Sequence, residues 1–462
     1  MNGNSNENLI SNFHPLRNSP DANCSSNQLF KAEGIEVSYS EYYIFTDESF
    51  EKHQEQVRED LLKEQPDIVA FSTYDMNYHY TLDCARFVKD FNPNIKTIAG
   101  GHTASVVPFE FMDYDCIDFI GKGEGEETLK ELSNALENNL PLNNIKGLYW
   151  RNESGEVIVN EARPLIEALD TLPFIDRDIV AYQHSKIDYL PFLMGRGCPY
   201  KCDYCGNEAI KDLAPNSNAW SRYRCPEHVI EELLLCREKH DFKYVFFYDD
   251  VFCLKLDWLR KFKELYKKHF PNIPYICLLR PEMAQDERRM KLLAESGCME
   301  VHMGVESGSF AYRKKMLGRH MSNEVILRAC DNIKKYGMRI NAFLMVGMPD
   351  ESCLDILKSL FFIFKINPSS IQTGIFYPLK GTPSYDYCEK NNLINWDKRK
   401  KLVVYSYDTA LNVNIFKRYF IIASKWILVS IPVIRRLQFS MVSRFFKIQY
   451  RLWYLKKVDY TS

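Results

Sequence analysis

The sequence predicts an α/β chain: an amino-terminal open parallel sheet, a partial (β/α)6 barrel, and a helical carboxyl-terminal segment. Three observations carry this reading. Apolar strand-like runs alternate with amphipathic stretches from about residue 34 to 150, the order that builds parallel sheets with helical crossovers. The same alternation restarts near residue 190 and passes through six strand–helix units by about residue 390. Residues 411 to 462 then hold ten Lys or Arg against one Asp, mixed with Phe, Trp, Tyr and Ile.

Each element follows from its residues. In the first unit (1–150) the strand candidates are "GIEVSY", "DIVAFS" ending at Ser72, "IKTIAGG" ending at Gly101 and "CIDFIGKG" ending at Gly123. They are rich in β-branched and aromatic residues and bounded by turn formers. "YTLDCARFVKDF" and "EETLKELSNALENN" place apolar residues at helical spacing between them. No strand candidate is read before "GIEVSY", so the sheet is expected to lack a first strand, with "HPLRNSPDANCSSN" where a first helix would stand. Residues 151–189 are acidic and turn-rich and read as a linker. In the barrel unit (190–390) the strands are "LPFLMG", "KYVFFYDD", "IPYICLLR", "MEVHMGVES", "INAFLMVGMP" and "IQTGIFYPL". In the last segment (391–462), "YFIIASKWILVSIPVI" contains Lys425 and Pro432 and falls short of the ~20 apolar residues of a membrane span. It reads as helices capping the barrel, with a basic amphipathic helix on a membrane surface as the second reading.

Composition narrows the function classes. A chain of 462 residues needs more than one core. With 46% apolar and 26% charged residues it is an ordinary globular protein, and a formal charge of −2 gives no global field for nucleic acid. The polar amino terminus has no secretory signal, so a cytoplasmic chain is expected. Fourteen cysteines in such a chain argue against a disulfide framework. Cys84, Cys236, Cys277 and Cys330 lie in apolar runs and read as packing.

Three cysteines differ. "MGRGCPYKCDYCGNEA", residues 194 to 209, puts Cys198, Cys202 and Cys205 at the end of the first barrel strand. Soft thiolates in a tight loop bind zinc or an iron–sulfur cluster. Structural zinc needs four ligands, and the next thiol, Cys225, is twenty residues on. Three thiolates on a 4Fe-4S cluster leave one iron open for a substrate. In βα barrels the reactive groups sit at the carboxyl ends of strands, and here those ends carry Cys198, Asp249, Asp250, Arg280, Glu306 and the Gly347 to Pro349 turn.

Cys198-x3-Cys202-x2-Cys205, with Tyr204 before the third cysteine in a six-unit βα domain, resembles the radical S-adenosylmethionine superfamily. The resemblance implies that the cysteines hold a 4Fe-4S cluster whose open iron takes S-adenosylmethionine. Reductive cleavage would then give a 5′-deoxyadenosyl radical. It also implies cofactor contacts at Tyr204, at Glu306 and Ser307 in "GVESGS", and at Gly347 in "VGMPDES", with "YPLKGTP" as the sixth-strand loop. "FYDD" stands where the family's second-strand Gly-Gly-Glu is expected, so Asp249 or Asp250 would take the methionine amino group. Arg222 and Arg224 in "SRYR" read as surface ion-pairing residues.

The first unit has its own signature. Small residues crowd adjacent strand ends: Ser72 and Thr73, Gly100 and Gly101, Gly121, Gly123 and Gly125. Ligands of open α/β sheets bind at such ends. "GKGEGEE" places carboxylates such as Glu124 where a pyrophosphate would be repelled, so a dinucleotide fits poorly. "AGGH" followed by "GKGEGEETL" upstream of the barrel resembles the cobalamin-binding domain of cobalamin-dependent radical S-adenosylmethionine proteins. This implies cobalamin contacts at Thr73, Gly100, Gly101, Gly123, Glu124 and Gly125. Asp-x-His-x-x-Gly, which supplies a cobalt ligand elsewhere, is absent from the sequence. His79 and His102 are expected to be exposed or hydrogen-bonded.

The expected function is reductive cleavage of S-adenosylmethionine with cobalamin-assisted methyl transfer to an unactivated centre of a small-molecule or lipid-like substrate. An external donor of flavodoxin or ferredoxin type would supply electrons. The alternatives are radical cyclisation, oxidation or rearrangement without methyl transfer, and RNA modification, for which the basic tail is the only nucleic-acid candidate.

Overall fold

Parallel strands need long crossovers, and the predicted helices supply them. The computed structural model describes residues 8–12, 36–40, 50–177, 188–252, 254–400, 408–428 and 430. The first sheet holds β1 (Asn8–Asn12), β2 (Glu36–Ser40), β3 (Ile68–Ser72), β4 (Lys96–Gly100), β5 (Phe119–Gly121), β6 (Leu148–Arg151) and β7 (Val157–Val159), in the order β2-β1-β3-β4-β5-β6-β7. The first five pair in parallel, the last two antiparallel. Between them run α1 (Gln54–Glu64), α2 (Tyr78–Phe91), α3 (Gly101–Val106), α4 (Pro108–Met112) and α5 (Glu126–Glu137). Residues Ile68 to Phe71 are all buried, because separate apolar clusters cover the two faces of this sheet.

Two expectations are corrected. The sheet does not lack its first strand: Asn8–Asn12 pairs with both β2 and β3. The predicted linker opens instead with the closing hairpin of the sheet. Asn152 accepts the Gly155 N–H at 2.9 Å and returns its own N–H to Glu156 at 3.0 Å, turning the chain so that Val157–Val159 lies back along β6.

The second sheet is wholly parallel, with neighbours in chain order: β8 (Tyr189–Phe192), β11 (Tyr244–Phe247), β12 (Tyr275–Leu279), β13 (Cys298–Glu306), β14 (Arg339–Val346) and β15 (Ser370–Ile375). All six predicted barrel strands are present. A short antiparallel pair, β9 (Gly195–Arg196) with β10 (Arg222–Tyr223), stands beside the first of them. The helices are α6 (Gly206–Lys211), α7 (Pro226–Lys239), α8 (Leu256–His269), α9 (Pro281–Ala284), α10 (Glu287–Ser296), α11 (Phe310–Met316), α12 (Asn323–Lys335), α13 (Cys353–Ile366), α14 (Pro383–Lys390) and α15 (Trp396–Arg399). Along β14, Ile340, Ala342, Leu344 and Val346 are buried, while Asn341, Phe343 and Met345 are only partly covered. The sheet therefore packs one face on its helices and leaves the other as the open wall of a half-barrel.

Phe247, Phe252, Phe262, Tyr266 and Tyr275 are fully buried at the centre of the helix-side core. Each contributes roughly 1.5–3 kcal/mol by leaving water. Cys84, Cys236, Cys277 and Cys330 are buried free thiols, as expected. Beyond α15 a helix over 415–428 caps the barrel, with Ile421 and Leu428 in its core. Among the described residues no helix is long and apolar enough to cross a membrane. Residues 431–462, including Pro432, lie outside the described residues.

Phe262 meets the rings of Phe247, Phe252, Trp258, Tyr266 and Tyr275. Phe262→Ala is expected to lower unfolding free energy by about 3–5 kcal/mol, read from the denaturant midpoint. A loss below about 1 kcal/mol would show that the core closes over the gap.

Candidate functional site

The cysteine loop is shaped mostly by backbone contacts. Met194 and Gly195, just past β8, donate their N–H groups to the Asp249 carboxylate at 3.1 and 2.7 Å. Gly197 takes φ +77°, and a Cβ there would lie 2.3 Å from the Trp220 carbonyl oxygen, so only glycine fits. Cys205 donates its N–H to the Cys202 carbonyl at 3.0 Å and caps α6. Later segments hold the loop from outside. Asp203 gives its N–H to Leu317 O at 3.3 Å, and its carbonyl accepts from Ser384 N–H at 2.9 Å.

Cys198, Cys202 and Cys205 are free thiols. Burial pushes Cys198 up to about 11 and Cys205 up to about 12, so a bound cation would be needed to hold them as thiolates. Among the described residues no three His, Cys, Asp or Glu side chains are grouped to hold a single metal ion. A cluster whose irons each take one thiolate suits this donor set better than one zinc ion.

Charged side chains from two strand ends, and one from the turn between α11 and α12, surround the loop. Arg280, after β12, donates Nη1–H to Cys202 Sγ at 3.1 Å. Arg319 donates Nη1–H to the Tyr204 hydroxyl at 3.0 Å and to Glu306 Oε1 at 2.9 Å, and Nη2–H to Gly304 O at 2.7 Å. Glu306, at φ +64°, sits where β13 loses register with β14. Burial raises its pKa, partly offset by Arg319.

A cavity of about 810 Å³ separates the two sheets. One wall is the glycine edge of β4 and β5, including Gly100, Gly101, Gly123 and Gly125; the other includes Cys205 and Asp250. Gly123, at φ +90°, has nothing within 4 Å of where a Cβ would stand. This bare, broad wall fits a large planar ligand such as cobalamin. His102 lines the cavity, and its Nε2 lies 3.0 Å from Gly206 O. The hydrogen-bonded reading of His102 agrees with this.

Several predicted residues are placed elsewhere. Asp249 is engaged by backbone N–H groups, and burial raises its pKa to about 7; of the two aspartates only Asp250 lines the cavity. Thr73 is fully buried, its Oγ1 donating to Gly100 O at 2.7 Å, while its neighbours Ser72 and Tyr74 line the cavity. Ser307 is likewise fully buried, 3.2 Å from Ser359 Oγ. Gly347, at φ +76°, turns the chain and donates its N–H to Glu351 at 2.7 Å. Glu124 touches the cavity but is held by Arg196 at 2.7 Å and Arg222 at 2.9 Å. Arg222 and Arg224 are ion-paired as expected, yet buried rather than on the surface. Sequence reasoning missed Arg319, Tyr74 and Arg196, and gave Arg280 no role. Arg280 alone carried a signal, its place at a strand end.

Residues 192–363 match the family model "Radical SAM superfamily", and residues 27–133 match "B12 binding domain". An uncharacterized methyltransferase of Pyrococcus horikoshii is 29% identical over 73% of this chain and 73% of its own length. The anaerobic magnesium-protoporphyrin IX monomethyl ester cyclase of Rubrivivax gelatinosus is 24% identical over 70% of this chain and 59% of its own. The radical S-adenosylmethionine methyltransferase TsrM from Kitasatospora setae shares the fold, with a TM-score of 0.67, 18% identity, and coverage of 84% of this chain and 76% of that one.

Two outcomes test this geometry. A Cβ at Gly206 would lie 2.6 Å from His102 Nε2, so Gly206→Ala should reduce iron uptake by the cysteine loop and added His102→Ala should restore it; failure of rescue would place the fault elsewhere. Burial raises the Glu351 pKa from 4.5 to about 8. A carboxyl that holds its proton more tightly when folded loses stability as pH rises from about 4.5 to about 8. Denaturant midpoints should fall across that window in the native chain, and Glu351→Gln should remove this component.

Proposed function

Because this chain is a radical SAM enzyme that carries a B12-binding domain, we propose that it cleaves S-adenosylmethionine reductively and transfers a methyl group to an unactivated centre. One observation carries the reading: Cys205 of the three-thiol loop and the glycine edge of the first sheet face each other across the same cavity. When bound, the cluster supplies the electron that breaks the sulfonium bond, and cobalamin carries the methyl group.

The chain's own residues would divide the work. Cys198, Cys202 and Cys205 hold the cluster. Asp250, facing the cavity, receives the methionine amino group in place of the engaged Asp249. Arg319, paired with Glu306, braces the cysteine loop through the Tyr204 hydroxyl. Gly100, Gly101, Gly123 and Gly125 let the corrin approach backbone, and walls from both sheets exclude water from a reactive intermediate. Electrons would come from an external flavodoxin- or ferredoxin-type donor.

The substrate is a small or lipid-like molecule. Leu354, Leu357, Phe361 and Phe364 form an exposed stripe along α13, and with the basic tail they support peripheral membrane contact. A radical reaction without methyl transfer is the second reading, favoured by the similarity to a protein named as a cyclase.

The test is anaerobic reconstitution with iron, sulfide and cobalamin, then dithionite and S-adenosylmethionine, with nucleoside products identified by mass spectrometry. 5′-Deoxyadenosine together with cobalamin-dependent S-adenosylhomocysteine is the expected result, and Cys202→Ala should abolish both. 5′-Deoxyadenosine alone would select the second reading.

A further inference from the structure

Arg280 is built into the wall of the cysteine loop with more contacts than a surface arginine needs. It follows β12 and stands at the N-cap of the short α9. Its side chain is 11% exposed. Nε and Nη2 donate to the two oxygens of Glu282 at 3.2 and 2.6 Å. The guanidinium face lies over the Tyr200 ring, 3.9 Å from its centroid, and Tyr200 belongs to the loop itself. These contacts leave Nη1 with one direction, toward Cys202 Sγ at 3.1 Å.

We propose that Arg280 is a positioning residue that sets the reduction potential of the cluster through the Cys202 thiolate. The inference rests on the cluster assignment made above and goes beyond it. One-electron reduction adds negative charge to the iron, sulfide and thiolate unit. A charge-assisted N–H on one thiolate stabilises the reduced form more than the oxidised form, and hydrogen bonds to sulfur are among the terms that set such potentials. Glu282 acts in the opposite sense: it fixes the guanidinium and cancels part of its charge. Arg280 and Glu282 therefore form a tuned pair, the donor raising the potential and the carboxylate restraining it. Tyr200 keeps the guanidinium flat against the loop, so that the bond to sulfur survives the electron's arrival.

The test is a redox titration of the reconstituted full chain without S-adenosylmethionine, followed by electron paramagnetic resonance. Iron and sulfide are assayed first. Arg280→Gln is expected to lower the ratio of reduced to oxidised cluster about tenfold at fixed applied potential, about 59 mV for a one-electron couple. Arg280→Lys should recover part of that loss, because an ammonium still donates and stays charged. Glu282→Gln should shift the potential the other way. A purely structural arginine predicts no such pair of opposite shifts. An unchanged midpoint in Arg280→Gln with full iron and sulfide would overturn the proposal. If that variant takes up no cluster, Arg280→Lys and Glu282→Gln decide, and native midpoints in both overturn it equally. A native chain that takes up no cluster fails at the iron and sulfide assay, and there the functional reading falls, taking this inference with it.

Discussion

The carboxylate of Glu124 sits between two guanidinium groups, and the shape of the cavity depends on that buried contact. Burial would raise its pKa, but Arg196 and Arg222 hold it below the usual carboxylate range. Its oxygens also accept the Ile166 N–H at 2.7 Å. Arg196 and Arg222 are paired across β9 and β10, the ribbon that leads into and out of the cysteine loop. A charge removed from water is costly unless every acceptor is satisfied, so these groups favour one relative placement of the sheets. A second tie closes the far side, where Arg399 donates to Asp75 and Lys380 to Glu110. The value of these pairs lies in orientation more than in net stability: they hold the glycine edge opposite Cys205.

Much of this architecture was legible because strand and helix periods differ. The six barrel strands and their crossovers stand out as apolar runs between amphipathic stretches. What escaped was short or polar. "NLISN" has too few apolar residues to announce a central strand, and "VIV" follows a turn rich in Asn, Glu and Gly, which reads as linker. Both elements acquire meaning only from their neighbours, since a strand of three to five residues is fixed by pairing rather than by its own propensity.

The site was legible in its backbone and less so in its side chains. Glycines at strand ends pointed to a bare wall, and the cysteine spacing identified the loop. Alternate residues face opposite ways, so the side chains of Ser72 and Tyr74 reach the cavity while that of Thr73 turns to Gly100. Asp249 and Asp250 pose the same problem, since adjacent carboxylates in one dipeptide serve structure and cavity separately. Arg319 lies 114 residues past Cys205 in number, as their positions show, and no local pattern joins it to Tyr204. Long-range ion pairs of this kind belong to the fold, not to any window of sequence.

The ties at Asp203 carry a consequence for biogenesis. Its N–H meets the Leu317 carbonyl and its own carbonyl meets the Ser384 N–H, partners that leave the ribosome long after the loop itself. Contacts so distant along the chain form late. The cysteine loop therefore reaches its final geometry only after most of the polypeptide has been synthesised. A loop completed this late offers its thiols in their final geometry only once the half-barrel around it is assembled.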